Sequence, residues 1–419
     1  MTVRFDDALL AAIALVRDSP PTDVGELVLV RDLFGRLRAV VEKEPTNTDA
    51  LSAWNERLQS ATGSYFAGPP MIGTQMVAPD AVFKSPDCFD VGGVKLLERG
   101  VMGAEWTRAE LPNREPKPPR ATLYGLKGGV GRSTAICAWS RHLANNLGRK
   151  VLVIDLDLES PGVSSTLLPT LGDFGIVDWF VEDAVGNADD ELVRRLAVSS
   201  PLATGQKEIL VVPCAKEGDR DYISKLARCY LDLPGPTRRP FADRIADLVD
   251  RLEEVHKPDV VLIDSRAGLH DIAGIATSRL DAMTFLFGTS ARQTWSGYRM
   301  LFEGLARNTT TAAAVREKLR VVAAQIPETH REEYLARVTL RAYDAFEPLY
   351  DESDVPDAFN FDVGAEDAPH YPIPIFWSRE FQEWDPLSDN VTAAQIEASF
   401  GDFVNGATDL LLDTKDAVS

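Results

Sequence analysis

The sequence predicts an α/β fold, with a mainly parallel sheet of about seven or eight strands, helices on both faces and a helical N-terminal segment. Three observations lead to this prediction. Beyond residue 120, apolar runs alternate with helix-like segments, as in parallel strands joined by crossover helices. A glycine-rich loop separates the first run from the first helix, and two later runs end in aspartate. Ligands bind beyond the carboxyl ends of such strands, so a binding site is expected at that edge of the sheet.

Strands are predicted wherever a short apolar run is bounded by polar residues. These runs cover residues 121–126, 150–156, 208–213, 259–264, 282–288, 319–326 and 372–377. The clearest helices between them are residues 241–255 and 295–306. Another helix follows the glycine-rich loop and is expected to end at Gly148, a residue type that favours helix C-termini. Residues 121–412 are therefore assigned to one α/β domain, and residues 413–419 to a tail.

The N-terminal part is predicted to be organised differently. Residues 1–66 are assigned to a helical region with apolar stripes at residues 9–16 and 30–41 and a third helix at residues 49–58. Asp23 and Glu26 have the spacing of a capping box that would begin the second helix. Such stripes are typical of packed helices, although a partner-docking groove would give the same pattern. Residues 67–120 are predicted to be irregular and to end in a proline-rich, charged linker.

The glycine-rich loop has the composition of a phosphate-binding loop. It consists of Lys127, Gly128, Gly129, Val130, Gly131, Arg132, Ser133 and Thr134. Glycine permits backbone conformations that a side chain would block, so successive N–H groups can converge on phosphate oxygens at a helix N-terminus. The hydroxyl of Ser133 would then be available to Mg²⁺. A glycine-rich turn without a ligand is the alternative, and the aspartate-ended strands downstream argue against it.

The loop resembles the deviant Walker A motif, K-G-G-x-G-K-[ST]-T, of the ParA/MinD family of P-loop switch ATPases, and matches seven of its eight positions. The resemblance covers residues 120–410 and implies ATP and Mg²⁺ as cofactors, an ATP-dependent homodimer and slow hydrolysis. It also implies that the amides from Gly128 to Thr134 cradle the phosphates. Lys127 would reach the nucleotide across the dimer interface, in a catalytic role.

Two strand ends supply the acidic residues that such chemistry requires. The resemblance implies that Asp157 orients the attacking water on the metal side, and that Asp264 holds Mg²⁺ through water together with Ser133. It places Gln325, in the run 319–326, where the family reads the base. Asp155 lies two residues before Asp157 and points to the same side, so it is a further candidate. The alternative for Asp157 is a carboxylate that only caps the following turn.

Arg132 is the departure from the family motif, because lysine is usual at this position. The guanidinium remains charged and can pair with phosphate oxygens, but it is planar and longer than the compact lysine ammonium. We therefore expect nucleotide binding, with hydrolysis impaired. His270 and Asp271 give too few ligands for a metal site of their own, so a structural or switch role is expected for them.

Composition excludes several other classes of protein. The formal net charge of −20 and the pI near 4.7 oppose non-specific DNA binding, which depends on lysine and arginine neutralising phosphates. The four cysteines form no C-x-x-C pair, and no apolar stretch is long enough to cross a membrane. We therefore expect a cytoplasmic protein without membrane insertion. The acidic segment 406–419 should be repelled by anionic lipid.

The leading functional hypothesis is an ATP-binding molecular switch that dimerises with Mg-ATP, recruits an unidentified protein partner and hydrolyses ATP slowly. The alternative is a hydrolysis-deficient nucleotide-binding scaffold or adaptor, for which Arg132 is the sequence indication. A metabolic phosphotransferase is a third hypothesis, but the sequence offers no candidate site for a small substrate. Serine-hydrolase chemistry lacks support because no G-x-S-x-G motif is present.

Overall fold

The computed structural model describes residues 2–85, 87–100, 103–106, 118–160, 162–204, 207–233, 239–352, 358–388 and 390–412. The chain divides into two compact units. The first comprises Met1–Leu111 and Glu303–Ala313, and the second comprises Pro112–Phe302 and Ala314–Ser419. The proline-rich linker and the tail predicted from the sequence lie largely outside the described residues.

The first unit contains a mixed sheet with helices packed on both faces. Its elements before residue 100 are α1 (Phe5–Asp18), β1 (Leu27–Arg31), β2 (Leu37–Val41), α2 (Thr48–Thr62), β3 (Met71–Ile72), α3 (Asp80–Phe83), β4 (Cys88–Val91) and β5 (Val94–Glu98). The strand order is β3-β2-β1-β5-β4, in which β1–β2 and β4–β5 are antiparallel. Ala12, Leu58 and Leu96 belong to the core that joins α1 and α2 to the sheet.

The helical prediction for the N-terminal region is correct for α1 and α2 but wrong between them. The segment predicted as the second helix forms the antiparallel hairpin β1–β2. Its strands are rich in valine and leucine, which suit a pleated surface, and Asp32 ends the first strand. The Asp32 carboxylate accepts hydrogen bonds from the amides of Phe34 and Arg36, both at 2.9 Å, and Gly35 has φ +78°. These turn interactions interrupt the apolar stripe and reverse the chain.

Part of the segment predicted to be irregular is also regular structure. Strands β4 and β5 form a second hairpin, connected through Gly92 and Gly93 with φ values of +60° and +82°. Glycine adopts this left-handed backbone without the steric cost of a side chain, so the pair permits a tight reversal. β5 lies parallel to β1 and thereby joins the two hairpins into one sheet.

From residue 120 onward, strands and helices alternate as predicted. The strands are β6 (Arg120–Gly125), β7 (Val151–Asp155), β8 (Val198–Ser199), β9 (Ile209–Val212), β10 (Val260–Asp264), β11 (Met283–Gly288), β12 (Leu319–Ile326) and β13 (Ile373–Phe376). The helices are α4 (Arg132–Arg141), α5 (Val163–Leu167), α6 (Ile176–Ala184), α7 (Asp190–Leu196), α8 (Tyr222–Cys229), α9 (Phe241–His256), α10 (Asp271–Ser278), α11 (Arg292–Ala306), α12 (Thr309–Arg316), α13 (Arg331–Phe346) and α14 (Ala393–Leu412). A π-helical turn at His142–Asn146 extends α4 toward Gly148.

The predicted fold class is confirmed. The sheet has eight strands in the order β13-β12-β11-β6-β10-β7-β9-β8, and each pair is parallel except β8–β9. Both faces are buried: Val151 and Val153 belong to one core, and Leu152 and Ile154 belong to the other. Because alternate residues of a strand point to opposite faces, a strand covered on both sides is apolar at every position. This explains the continuous apolar runs of the sequence.

The strand order brings the predicted site together. β6 lies between β11 and β10, and β10 lies beside β7. In this register Asp264 pairs with Leu123 of β6 on one side and with Asp155 of β7 on the other. The glycine-rich loop and the aspartate-ended strands therefore meet at one edge of the sheet. Within the described ranges, every helix is too short or too polar to cross a bilayer.

Candidate functional site

The phosphate loop connects β6 to α4 and leaves its backbone accessible. Gly129 and Gly131 have φ values of +74° and +87°, and Gly131 is the N-cap of α4. A Cβ atom added at Gly128, Gly129 or Gly131 would meet no atom within 4 Å. The first helical hydrogen bond runs from the Ala135 amide to the Gly131 carbonyl at 3.0 Å. The amides that precede this hydrogen bond in the chain lie at the N-terminus of α4, a position that favours bound anions.

Ser133 and Asp264 meet at the foot of this loop. The Ser133 Oγ donates a hydrogen bond to Asp264 Oδ2 at 2.8 Å. Asp264 is 2% exposed, and its other oxygen, Oδ1, is buried without a hydrogen-bond partner. Burial raises the pKa of Asp264 to about 7, and Asp155 and Asp157 add to this rise, whereas Arg132 and the Ser133 hydroxyl oppose it. Asp264 is therefore a buried acid whose charge is only partly compensated by Arg132.

Asp155 and Asp157 have different surroundings although both lie at the end of β7. Asp155 Oδ2 accepts hydrogen bonds from the Ser164 hydroxyl at 2.5 Å and the Ser164 amide at 3.2 Å. Asp157 Oδ1 is buried without a hydrogen-bond partner, and Oδ2 lies 3.7 Å from Arg132 Nη2. Burial raises the pKa of both carboxyls. Asp155 thus anchors the start of α5, which leaves Asp157 as the less satisfied acid.

Arg132 is held among these acids. Its side chain is buried, and Nη1 donates a hydrogen bond to the Ser265 carbonyl while Nη2 pairs with Asp157. The positive charge lowers the pKa of Asp157 and of Asp264 against the effect of burial. A Cβ atom at Gly125 would lie 3.3 Å from Arg132 Cδ, so the glycine leaves room for the longer side chain. The guanidinium connects the ends of β7 and β10 to the phosphate loop.

Lys127 lies apart from the acids. It is exposed, and no carboxylate of the described residues lies within the 4.0 Å distance of an ion pair. It borders an open cleft of about 650 Å³ whose lining includes Gly268, Leu269, Arg292 and Met300. Leu269 and Met300 are 49% and 62% exposed. Lys127 is therefore available to a molecule approaching this face.

A second cleft, of about 530 Å³, opens directly on the phosphate loop. Its lining comprises Gly129, Val130, Gly131, Arg132, Ser133, Thr134, Gln325, Ile375, Phe376, Trp377, Ser378, Phe381, Gln382 and Phe400. Gln325 adopts φ +56°, and its Nε2 donates a hydrogen bond to the Gly129 carbonyl at 2.7 Å. The predicted base-reading residue thus contacts the loop backbone and lines the cleft.

The aromatic wall of this cleft was missed by sequence reasoning. Trp377 directly follows β13, and Phe381 packs edge-to-face against Phe400 with ring centroids 5.0 Å apart. The signal in the sequence was an aromatic cluster after the last predicted strand, at the same edge of the sheet as the loop. Aromatic rings beside amide side chains such as Gln382 suit a flat heterocycle.

No protein-family model matches the sequence, and no curated protein does so either. Solved structures do align with it. MinD of Pyrococcus horikoshii OT3, a septum site-determining protein complexed with Mg-ADP, is 17% identical, with 70% of this chain and 97% of that chain covered and a TM-score of 0.42. A ParA family ATPase from Chlorobium tepidum TLS is 13% identical, with 68% and 98% covered and a TM-score of 0.45. Both aligned structures are described as proteins of the MinD or ParA type.

A putative plasmid partition protein from Borrelia burgdorferi B31 bound to AMPPNP also aligns with the chain, at 15% identity, with 69% of this chain and 98% of that chain covered and a TM-score of 0.43. At these identities and TM-scores the alignments carry no argument about function. The chemistry of the site is therefore argued from its own residues.

The donors at the strand ends fit Mg²⁺ better than a softer metal. Within the described part of the chain, no group of three or more His, Cys, Asp or Glu side chains is arranged to hold a metal ion. Ser133 and Asp264 instead offer oxygen atoms beside an unpartnered carboxylate oxygen. Mg²⁺ binds through few protein oxygens and keeps water and phosphate oxygens as its other ligands. This donor set and the open loop beside it fit Mg²⁺ together with a nucleotide.

Proposed function

We propose that the chain is an ATP-binding molecular switch of the ParA/MinD type, with residues 121–412 as its ATPase domain. The observation that carries the proposal is the 2.8 Å hydrogen bond from Ser133 to the buried Asp264 at the foot of an open glycine loop. A buried carboxylate with one unpartnered oxygen is costly unless a ligand completes it. A helix N-terminus and glycine backbone beside it suit the phosphates of that ligand.

The proposed role of each residue follows from its position in the site. The amides from Gly128 to Thr134 bind phosphate oxygens, and Ser133 and Asp264 hold Mg²⁺. When bound, Mg²⁺ supplies positive charge against the phosphate oxygens. Asp157, whose Oδ1 has no hydrogen-bond partner, orients the attacking water. Trp377 lines the cleft and would contact the base, and Gln325 holds the loop through a hydrogen bond to the Gly129 carbonyl.

Dimerisation is proposed through the face that carries Lys127. This lysine is exposed and lies away from the acids of its own chain, beside the exposed apolar side chains of Leu269 and Met300. If a second copy of the chain brought its nucleotide to this face, Lys127 would be able to contact that nucleotide. The complex would then recruit an unidentified protein partner. The net charge of −20 disfavours DNA as that partner. The four free thiols fit the reducing cytoplasm.

The nucleotide proposal is tested by isothermal titration of ATP with and without Mg²⁺. Wild type should bind Mg-ATP more tightly than metal-free ATP. Ser133→Ala should remove most of that difference and weaken Mg-ATP binding by roughly tenfold or more, because the metal loses a hydroxyl ligand. Ser52→Ala, at an exposed serine of α2, is the matched control. If wild type has no affinity for ATP in either condition, the proposal is wrong.

A hydrolysis-deficient scaffold is the second candidate, and the position of Arg132 favours it. The guanidinium is already paired with Asp157 and with the Ser265 carbonyl, so it is less free to follow charge that develops on a transferring phosphoryl group. Steady-state phosphate release separates the two functions. A switch should release phosphate slowly, whereas a scaffold should bind Mg-ATP without release above a boiled control.

A further inference from the structure

Glu159 connects several elements beside the proposed site. It lies two residues after Asp157, in the segment that follows β7, and its carboxylate forms an ion pair with Arg266 from the segment that follows β10. The hydroxyl of Tyr230, next to the C-terminus of α8, donates a hydrogen bond to Glu159 Oε1. His270 Nε2, at the N-cap of α10, lies 3.6 Å from the same oxygen. One carboxylate therefore contacts residues from three other parts of the second unit.

The surroundings make this a stronger contact than a surface ion pair. The side chains of Glu159 and Arg266 are 24% and 29% exposed, and that of His270 is 18% exposed. Burial and the nearby charge of Arg266 lower the pKa of His270, so its imidazole is neutral at neutral pH and Arg266 is the cation that faces Glu159. A half-buried pair is screened less by water and salt than an exposed one.

The two segments that Glu159 joins lie beside acids that repel each other. Residues 156–160, called here the Asp157 loop, follow Asp155, and residues 265–268, called the Ser265 loop, follow Asp264. In their charged forms, these buried carboxylates disfavour one another across adjacent strands. An additional contact between the loops opposes that repulsion without occupying either carboxylate.

Two hydrogen bonds also hold the backbone of the Asp157 loop. The Tyr222 hydroxyl of α8 donates a hydrogen bond to the Leu158 carbonyl. The Ser160 amide donates one to the Asp157 carbonyl at 3.1 Å. Tyr222 of α8 thus binds the loop backbone, and Tyr230, directly after α8, binds the Glu159 carboxylate. Arg266 is the contact that extends this arrangement to the Ser265 loop.

We propose that Glu159 is a positioning residue that locks the Asp157 loop to the Ser265 loop through Arg266, so that Asp157 and Asp264 keep their relative places during turnover. The lock itself is a property of the nucleotide-free chain. Its consequence for turnover rests on the proposed nucleotide function.

The lock is tested first without nucleotide, by amide hydrogen exchange. Glu159→Gln should accelerate exchange in both loops by roughly tenfold, because loss of the ion pair allows local opening. Arg266→Gln should do the same, and the double variant should add little, since both changes break one interaction. Glu191→Gln, at an exposed pair with Arg194, is the matched control and should leave both loops unchanged. Unchanged exchange in the Ser265 loop of Glu159→Gln would overturn the proposal.

A milder variant guards against general loss of structure. Tyr230→Phe removes only the hydroxyl that donates to Glu159. It should accelerate exchange in the Asp157 loop by less than Glu159→Gln, while the strands β7 and β10 stay protected. If Tyr230→Phe and Glu159→Gln instead accelerate exchange evenly throughout the sheet, the residues support the whole fold and the positioning role is refuted.

The functional consequence is measured with Mg-ATP. Glu159→Gln should lower kcat for phosphate release about tenfold or more and leave the Kd for Mg-ATP within threefold of wild type, because the lock positions Asp157 and does not touch the nucleotide. An equal loss of affinity and kcat would place Glu159 in nucleotide binding and overturn the positioning role. If wild type binds no Mg-ATP, the proposed function fails, while the exchange experiment still decides whether the lock exists.

Discussion

Asp264 should make the nucleotide-free protein lose stability as pH rises, and Asp264→Asn should remove that loss. The carboxyl is 2% exposed, and its pKa is raised to about 7 from an ordinary value of 3.8. A raised pKa means that the folded state holds its proton when the unfolded state has already released it. The contribution of Asp264 to stability is therefore most favourable below pH 4, becomes less favourable as pH rises toward 7 and then levels off.

The size of the effect follows from the shift. A rise of about three units corresponds to about 4 kcal/mol, at about 1.4 kcal/mol per unit. Asparagine has nearly the same shape, carries no charge and still offers Ser133 an acceptor oxygen. Asp264→Asn should thus be close to wild type in stability at pH 4, and should be the more stable protein by up to about 4 kcal/mol at pH 8. This is a large fraction of the stability of a typical domain.

The assay is urea denaturation at several pH values between 4 and 8, with Asp409→Asn, an exposed position of α14, as the control. The other acids of the site contribute to the pH dependence of both proteins, so the difference between wild type and Asp264→Asn isolates this carboxyl. Saturating Mg-ATP should restore the stability of wild type at pH 8 and do less for the variant. Parallel stability curves for the two nucleotide-free proteins would refute the reasoning.

Substitutions at three further residues examine the rest of the site. Arg132→Ala should weaken ATP binding by roughly tenfold in dilute monomer, whereas Arg132→Lys should preserve it, as measured by isothermal titration; equal affinity for all three proteins would contradict a role in binding. Lys127→Ala should leave monomer affinity near wild type but suppress Mg-ATP-dependent dimerisation measured by light scattering, and normal dimerisation would argue against action in trans. Trp377→Ala should weaken ATP and ADP equally, by about tenfold, without changing the effect of Mg²⁺, because the ring lines the cleft beyond the phosphate loop; unchanged titration curves would remove the ring from the base site.

The parts of the fold that could be predicted are those fixed by local pattern. A strand buried on both faces is apolar throughout, so β6, β7 and β10 were visible as runs in the sequence. Parallel strands end at the same edge, and for this reason the sequence is enough to expect Ser133 near Asp264. The helix prediction for residues 30–41 was wrong because the spacing of their apolar residues fits a helical stripe as well as a hairpin. The turn at Asp32 and Gly35 decides between the two.

Side-chain partners that depend on tertiary structure could not be predicted. The loop motif suggested that Arg132 faces the nucleotide, but its partners, Asp157 and the Ser265 carbonyl, come from the loops that follow β7 and β10. Gln325 was assigned to the base from its position on a strand. Its left-handed backbone and its hydrogen bond to Gly129 arise where the pairing of β12 with β13 becomes irregular. No local pattern indicates that irregularity.

The charge balance of the site connects its stability to its proposed ligand. Asp155, Asp157 and Asp264 are all buried, and Arg132 is the buried cation that lowers the pKa of the latter two. Asp155 is satisfied by Ser164, whereas Asp157 and Asp264 each keep one oxygen without a hydrogen-bond partner. Leaving such an atom unpaired costs on the order of 1 to 3 kcal/mol, and more for a charged group. A divalent cation would relieve both acids at once, so the same arrangement that weakens the nucleotide-free fold at neutral pH would strengthen the binding of Mg²⁺ with its nucleotide.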